Sequence, residues 1–480
     1  MTPPAGRSPQ PAPTEGWSHA RLIPTAGIRS ELERERRASS CLLAVMHGVP
    51  EFAHALLKEL GAPKSSVIET YAEVRFKDAT GKVIIPDGAI VCKYGEKRWT
   101  CLVEVKTGAN ELKSDQVSAY LDIARVNGFN GVLTISNQIT ATSAESPLDI
   151  DGPKLKKTSL WHFSWWRVLT EALVQSRHRG VSDPDQAWIL RELIHYLSSE
   201  ASGASGFEDM GEHWVGVRNS VVAGTLRQND PGPKEVADRW EQFTQYLCLS
   251  LSQELGRKVT SPRPHKQTTA ERLNDIIKTL GTSGELVSTL RVPDAAGDLH
   301  IRADLRTRRT STTVAFEAPG DRRAKPRITW LLKQLNDAPD DLKIEVSYPF
   351  VRETIPATLA QAREDPGRLL YGSDLRREAR SFVLTYSRPM GQKRGRAEGS
   401  FVRETSLQAV AFYRDLVQNL KPWQAPAPKI GKPAEHVDPV DHEPTIVPVW
   451  SDEKPSAGVV AAGAAAQTPL RGPRSDHNGY

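Results

Sequence analysis

Apolar residues recur at helical spacing between about residues 30 and 60. A period of 3.6 residues predicts an amphipathic helix that turns one face toward a core. Pro50 interrupts this pattern, and because proline disrupts the interior of a helix, we expect two helices here. Short runs of β-branched and aromatic residues follow, and they predict strands at 71–76, 83–85, 89–91 and 100–105.

Helical and strand-like patterns then alternate. Residues 114–127 predict a helix, residues 131–136 a buried strand, and two further helices are expected near 164–175 and 184–197. Asp183 and Pro184 are suitable as the cap and the first position of the last helix. The order of helix, strands, helix, strand and helix predicts an α/β fold with a mixed sheet.

The remaining chain predicts a second α/β domain. Helices are expected near 233–255 and 328–335, and strands near 286–292, 299–305, 312–316 and 342–346. A stretch of Ser, Ala and Gly at 198–206 predicts a linker between domains at 21–197 and 207–421. Both ends, 1–20 and 422–480, are rich in small residues and proline, so we expect disordered termini.

Composition narrows the class of protein. The four cysteines form no Cys-x-x-Cys pair, which argues against a zinc site and a secreted disulfide framework. No apolar run reaches the length of about 18 residues that a membrane span needs, and residues 1–20 lack the apolar stretch of a signal peptide. We therefore expect a soluble cytoplasmic protein without a membrane partner. Its net charge of +5 is compatible with a polyanionic partner.

One constellation of charged residues predicts chemistry. Pro86-Asp87 is followed, 17 residues after Asp87, by Glu104-Val105-Lys106. Side chains alternate along a strand, so Glu104 and Lys106 project to the same face, and Asp87 on the preceding strand can supply a second carboxylate. Paired carboxylates suit Mg²⁺, and an ammonium beside them can hold a water for attack on a phosphate. The alternative is a solvated ion pair on a surface hairpin.

These residues resemble the signature of the PD-(D/E)xK nuclease superfamily, which is matched as Pro86-Asp87 and Glu104-Val105-Lys106. Gln116 and Tyr120, four residues apart on the next predicted helix, resemble the Gln-x-x-x-Tyr element of the RecB-like branch. The resemblance covers about residues 30–180. It implies a restriction-endonuclease-like mixed sheet flanked by helices.

The resemblance also implies roles for individual side chains. Asp87 and Glu104 would bind Mg²⁺, Lys106 would position the attacking water, and Gln116 would orient the site from its helix. Many members of the superfamily add an acidic residue from the first helix.

Glu35 is the candidate for this helical acid, because it lies seven residues before Leu42 and so shares the inward stripe of the helix. Glu31, one turn earlier, is the alternative. The charged run 31–37 could equally form a solvated face of the helix.

The second half partly repeats this order of residues. Asp304 precedes Glu317-Ala318-Pro319, and a predicted helix with Gln334 follows. Pro319 stands where a lysine would be needed, so the sequence allows either a decayed second nuclease-like fold or an unrelated α/β domain.

Basic residues are concentrated in the second half. Residues 301–400 hold 20 Lys or Arg and 13 Asp or Glu. Arg322, Arg323 and Arg327 are the candidates for contacts with nucleic-acid phosphates, and a solvated basic surface is the alternative.

The sequence thus predicts a Mg²⁺-dependent nuclease that hydrolyses phosphodiester bonds, with DNA favoured over RNA as the substrate. The alternative is a catalytically inactive nuclease-like module that binds nucleic acid or a protein partner. Intact Asp87, Glu104 and Lys106 favour the enzyme.

Overall fold

Two large β-sheets, of five and six strands, organise the chain. The computed structural model describes residues 21–421 apart from 65, 79, 321–322, 352–354 and 371–377. The termini that we expect to be disordered, 1–20 and 422–480, lie outside the described residues, as does Arg322. The five-stranded sheet comes from the first predicted domain and the six-stranded sheet from the second.

The first half contains six helices and seven strands in the described chain. They are α1 (Glu31–Gly48), α2 (Pro50–Leu57), β1 (Val67–Ala72), β2 (Phe76–Lys77), β3 (Val83–Ile84), β4 (Gly88–Tyr94), β5 (Lys97–Val105), α3 (Ser114–Val126), β6 (Gly131–Ser136), α4 (Gly152–Leu155), β7 (Ser159–Ser164), α5 (Trp165–Val174) and α6 (Pro184–Leu197). The division at Pro50 is confirmed, because this residue is the first of α2. The cap by Asp183 is also confirmed, since its side chain accepts from two backbone N–H groups at the start of α6.

The five-stranded sheet is mixed, as predicted. Its order is β1-β4-β5-β6-β7, with antiparallel pairing on the β1 side of β5 and parallel pairing from β5 to β7. Cys101, Val103 and Val105 face the core formed with α1, α2, α5 and α6, whereas Leu102 faces α3. The carboxyl ends of β5, β6 and β7 therefore meet at one edge, where α/β proteins commonly bind ligands.

The second half contains six helices and six strands among its described residues. They are α7 (Trp214–Ala223), α8 (Pro231–Leu255), α9 (Thr269–Ser283), β8 (Glu285–Leu290), β9 (Leu299–Asp304), β10 (Arg309–Glu317), α10 (Ala324–Gln334), β11 (Lys343–Ser347), β12 (Ile355–Thr358), α11 (Leu359–Glu364), β13 (Ser381–Pro389) and α12 (Phe401–Asp415). The sheet order is β12-β11-β13-β10-β9-β8, and every neighbouring pair is antiparallel. The apolar face of α8 packs in the core of this half.

The two halves share an order of elements. The series α1-β1-β4-β5-α3-β6 corresponds to α9-β8-β9-β10-α10-β11, except that β13 lies between β10 and β11. Just as Asp87 immediately precedes β4, Asp298 immediately precedes β9, and Ala315 follows Asp298 by the same 17 residues that separate Asp87 from Glu104. The second half therefore has alanine in place of Glu104.

This register corrects the internal repeat expected from Asp304 and Glu317. Asp304 pairs with Arg309 at the start of β10, whereas Glu317 is the last residue of that strand. Eight residues of extended chain separate the two positions by about 27 Å. Asp304 and Glu317 therefore lie at opposite ends of the sheet and cannot form one site.

The segment that links the halves packs against the edge of the first sheet. Glu200–Ser202 forms one short helical turn, and Ser202 is buried. The carbonyl of Gly203 accepts from the backbone N–H of Gly108 at 2.9 Å and from the side-chain amide of Asn137 at 2.9 Å. These contacts fix the connection beside the loop that follows β5.

No single helix in the described part of the chain is long and apolar enough to cross a membrane. The helices Glu31–Gly48 and Pro50–Leu60 satisfy that test only as a pair, which is bent by 109°. The four cysteines are all free, and three of them are buried.

A buried histidine makes the fold sensitive to acid. His162 on β7 is 1% exposed, and one ring nitrogen lies 2.9 Å from the carbonyl of Gln138. Burial disfavours the imidazolium and lowers the pKa of His162 to about 4. Its contribution to stability is therefore present above the ordinary pKa of 6.5 and is lost as the pH falls through 4.

Between pH 7 and pH 4, we predict that the free energy of unfolding falls less in His162→Gln than in wild type, because the substitution removes the titrating group. The difference should be up to about 3 kcal/mol. Denaturant unfolding at several pH values measures this difference. His195→Gln, at an exposed position of α6, is the matched control and should follow wild type. Equal acid sensitivity of wild type and His162→Gln would contradict the prediction.

Candidate active site

Lys106 lies at the carboxyl end of β5, between carboxylates from two different elements. Its Nζ donates to Glu104 Oε1 at 2.8 Å and to Glu35 Oε2 at 3.2 Å. All three side chains are largely withdrawn from solvent, at 14%, 1% and 8% exposure respectively. The structure thus brings together three of the residues that the sequence singles out.

Asp87 completes the acidic side of the site. Its Oδ2 accepts from the backbone N–H of Val105 at 2.7 Å, which holds the carboxylate beside the end of β5. Burial raises the pKa of Asp87, and the nearby charge of Glu35 adds to the effect, while the Val105 hydrogen bond opposes it. Asp87 therefore belongs to the same electrostatic cluster as Glu35 and Lys106.

A glycine follows Asp87 directly and lies close to neighbouring backbone. A side chain on Gly88 would place its Cβ 2.4 Å from a methyl group of Leu43 on α1 and 2.8 Å from the backbone carbonyl of Tyr71 on β1. The Leu43 methyl can move, but the carbonyl belongs to the strand that pairs with β4. A larger residue at position 88 would therefore disturb the pairing of β1 with β4 beside Asp87.

Glu104 is the most confined charge of the group. Its Oε2 is buried and has no hydrogen-bond partner among the described residues. Burial and, after it, the negative charge of Asp87 raise the pKa of Glu104 to about 7, although Lys106 acts in the opposite direction. A buried carboxylate oxygen without a donor is a position where a cation would be stabilised.

Lys106 stays protonated in this environment. Burial lowers its pKa, but the charges of Glu104, Glu35 and Asp87 outweigh burial, so the pKa lies above its ordinary value. An ammonium held in this way donates hydrogen bonds and stabilises negative charge. It is not suited to remove a proton.

Of the two candidate acids on α1, Glu35 is the one that contacts Lys106. Its second oxygen, Oε1, accepts from Asn110 Nδ2 at 2.6 Å, in the loop after β5. Glu31, the alternative, is exposed and pairs with Arg34 one turn further along α1. The inward stripe of α1 therefore selects between the two glutamates.

Gln116 acts through a neighbour in its own helix. Its Nε2 donates to the hydroxyl of Tyr120 at 2.7 Å, and that hydroxyl lies 3.3 Å from the carbonyl of Ile85. Burial and the charge of Glu104 raise the pKa of Tyr120. Among the described residues, the side-chain hydrogen bond of Gln116 is thus made to Tyr120 and not to Asp87, Glu104 or Lys106.

Two further residues support the site without a clear sequence signal. Asn110 orients Glu35, and the indole of Trp165 donates to the carbonyl of Lys106 at 2.8 Å. The helical pattern indicates a core position for Trp165, and the residue is indeed fully buried. The pattern does not indicate the hydrogen bond of its indole. An asparagine in a loop gives no periodic signal.

The arginines proposed for phosphate contacts have different environments. Arg323 is exposed directly before α10, whereas Arg327 is 4% exposed. The guanidinium of Arg327 donates to the carbonyls of Ala379 and Gly320 and to the carboxylate of Glu378. This burial corrects the expectation for Arg327, which holds loops of the fold together and does not face a ligand.

A cavity of about 1190 Å³ adjoins the site beside Arg34 and Asn110. Its walls carry six carboxylates and three guanidinium groups. The carboxylates are those of Glu111, Glu200, Glu208, Asp209, Glu235 and Asp238, and the guanidinium groups are those of Arg34, Arg239 and Arg396. The acidic surplus disfavours entry of a phosphate backbone.

Comparison with known proteins assigns the chain to no family. No protein-family model matches the chain, and no curated protein matches it either.

The raised pKa of Glu104 predicts an unusual response to substitution. The folded protein favours the neutral form of Glu104. The contribution of Glu104 to stability is therefore present below pH 4.5, which is its ordinary pKa, and is lost as the pH rises through 7. Glu104→Gln should therefore be more stable than wild type at pH 8, by up to about 3 kcal/mol, and similar to it at pH 4.5.

Denaturant unfolding of both proteins at the two pH values checks this expectation. Glu96→Gln, in the exposed turn between β4 and β5, serves as the matched control and should show no pH-dependent gain. A Glu104→Gln protein that is less stable than wild type at pH 8 would show that the ion pair with Lys106 outweighs the cost of burying the charge.

Proposed function

We propose that this protein is a Mg²⁺-dependent nuclease that hydrolyses phosphodiester bonds, with DNA as the expected substrate. The observation that carries the proposal is the convergence of Lys106 with two buried carboxylates, at 2.8 Å and 3.2 Å, where Oε2 of Glu104 has no hydrogen-bond partner in the described part of the chain. Asp87 is held at the same strand end by Val105.

The architecture supports a restriction-endonuclease-like fold for the first half. A helix, three strands of a sheet, a second helix and a parallel strand follow one another as α1, β1, β4, β5, α3 and β6. Asp87, Glu104 and Lys106 lie on the β4–β5 hairpin, and Gln116 lies on the helix that follows, in agreement with the resemblance in sequence.

Asp87 and Glu104 are the residues that would hold Mg²⁺. The described residues include no group of three or more His, Cys, Asp or Glu side chains placed to hold a metal. Two carboxylates are sufficient for Mg²⁺, which retains several waters as ligands. The bound ion would neutralise charge that develops on the phosphate and promote ionisation of a water.

The side chains of this site then have separate tasks. The ammonium of Lys106 would orient the attacking water by donating to it and would stabilise negative charge on the phosphate oxygens. Glu35 and Glu104 fix the ammonium in place, and Asn110 fixes Glu35. The amine also donates to the carbonyl of Val105 at 3.2 Å, and Trp165 anchors the backbone of Lys106.

A basic cleft offers contacts for the rest of the nucleic acid. A cavity of about 970 Å³ lies beside α5 and the loop after β6, and its lining has six basic side chains but only Glu59 and Glu171 as acids. The basic residues are Lys58, Arg167, Arg179, Arg257, Lys258 and Arg263. Arg167, Arg179, Arg257, Lys258 and Arg263 form ion pairs with carboxylates, so a phosphate would have to compete with these pairs. The exposed Arg323 remains a candidate for a phosphate contact.

The second candidate function is binding without cleavage, by an inactive module with a nuclease-like fold. The lack of a three-residue metal group among the described residues favours it. The intact Asp87, Glu104 and Lys106 favour the enzyme. The two functions differ in a direct assay.

Asp87→Asn and Lys106→Gln should each reduce Mg²⁺-dependent cleavage of DNA by at least about 100-fold, because they remove a metal ligand and the donor to the attacking water. Binding of the same DNA should change by less than about threefold, since phosphate contacts supply most of the affinity. Lys97→Gln, exposed at the start of the same strand, is the matched control and should cut normally.

Cleavage is measured on labelled single- and double-stranded DNA and RNA with Mg²⁺ or with EDTA. Wild-type protein that binds these substrates and cuts none of them would favour the inactive module. Full activity of Asp87→Asn would place the active site elsewhere in the chain.

A further inference from the structure

Asn137 lies directly after β6, and its side-chain amide contacts two segments that are distant in sequence. Its Nδ2 donates to the carbonyl of Gly108 at 3.0 Å and to the carbonyl of Gly203 at 2.9 Å. Its Oδ1 accepts from the backbone N–H of Ser205 at 2.8 Å. These partners determine which way the amide points, because the two carbonyls can only accept and the N–H of Ser205 can only donate.

Gly108 lies in the turn that follows Lys106. The backbone N–H of Lys106 donates to the carbonyl of Ile135 on β6 at 2.8 Å, so the turn starts from a fixed position beside that strand. The backbone N–H of Gly108 donates to the carbonyl of Gly203 at 2.9 Å, while its own carbonyl accepts from Asn137. Both polar backbone groups of Gly108 are thus engaged, one by the linking segment 198–206 and one by Asn137.

The other end of this turn reaches Glu35. The backbone N–H of Asn110 donates to the carbonyl of Thr107 at 3.2 Å, and its side chain donates to Glu35 Oε1 at 2.6 Å. The second oxygen of Glu35 accepts from Lys106 Nζ at 3.2 Å. The turn therefore connects the position that Asn137 sets to both partners of this ion pair.

The linking segment packs closely against the same turn. Gly203 has a φ of +69°, and a Cβ on it would lie 2.5 Å from Cδ of Arg34 and 3.0 Å from the backbone nitrogen of Gly108. Gly108 has a φ of +60°. Glycine adopts such conformations without strain and leaves room for another backbone. The two glycines thus let the turn and the linking segment approach closely enough for the amide of Asn137 to bridge them.

We propose that Asn137 is a positioning residue for Lys106 and Glu35, which acts through the turn between Lys106 and Asn110. The proposal rests on the nuclease function given above, because it concerns the ammonium that would orient the attacking water. In the described chain, the side-chain hydrogen bonds of Asn137 go to the turn and the linking segment and to neither residue of the ion pair. Without the amide, the turn is free to move and Asn110 no longer fixes Glu35 beside the ammonium.

Asn137→Ala should lower kcat for Mg²⁺-dependent cleavage of DNA by about 10- to 100-fold, because a shift of about 1 Å in a reacting group has an effect of that size. The KM should change by less than about threefold, since the turn orients the ammonium and does not hold the substrate. Asn137→Asp keeps the shape and the acceptor for Ser205 but removes both donors, so it should show a similar loss. It keeps the test decisive if Asn137→Ala fails to fold.

Gln138→Ala is the matched control. It removes an amide side chain at the next position of the chain, where the side chain is exposed. The hydrogen bonds of Gln138 to Ser136 and His162 use its backbone groups, which the substitution keeps. This variant should cut as wild type does, and a loss equal to that of Asn137→Ala would overturn the proposal.

A double-mutant cycle separates positioning from general damage to the fold. If Asn137 acts through Asn110, the double variant Asn137→Ala/Asn110→Ala should have a kcat within about threefold of Asn110→Ala alone, since both substitutions interrupt the same chain of contacts. Losses that multiply would overturn the proposal, and so would a wild-type kcat in both Asn137 variants.

Amide hydrogen exchange of the full chain tests the same contacts without cleavage. Exchange at residues 107–110 should be at least about 10-fold faster in Asn137→Ala than in wild type or Gln138→Ala, because the turn opens more often. Faster exchange in a protein whose wild type never cuts DNA would support the hold of Asn137 on the turn and count against the nuclease function alone. Unchanged exchange would overturn the proposal whatever the activity.

Discussion

The burial of Glu104 beside Lys106 is the constraint on which the first half of the structure depends. A carboxylate at 1% exposure is stable only with a nearby cation or as the neutral acid, and both occur here, since Lys106 is 2.8 Å away and the pKa of Glu104 lies near 7. The ammonium in turn needs Glu35, which fixes the approach of α1. Gly88, directly after Asp87, lies 2.8 Å in Cβ position from the carbonyl of Tyr71 and so keeps β1 paired closely with β4.

The second half shows what the same order of elements looks like without this constraint. Ala315 occupies the position of Glu104, and β13 has entered the sheet between β10 and β11. Every neighbouring pair of strands in that sheet is antiparallel.

Electrostatics separates the surfaces around the candidate active site. The cavity beside Asn110 has an excess of carboxylates, while the cleft beside Arg167 has an excess of basic side chains. A polyanion would be attracted to the second and repelled from the first, which would give it one preferred side of approach.

The sequence determined the features that are encoded locally. Periodicity predicted α1, α2, α3, β4, β5 and β6, and alternation along β5 placed Glu104 and Lys106 on one face, because these patterns depend on neighbouring residues alone. The sequence did not predict β7, and β1 lies at 67–72 where 71–76 was expected. Tertiary structure decided which side chains meet across long distances in the chain. Packing between elements decided the burial of Arg327 and the contacts of Asn110 and Trp165. The pairing register of β9 and β10 decided that Asp304 and Glu317 lie at opposite ends of the sheet. Packing and register depend on residues far apart in the chain, so a local sequence pattern does not reveal them.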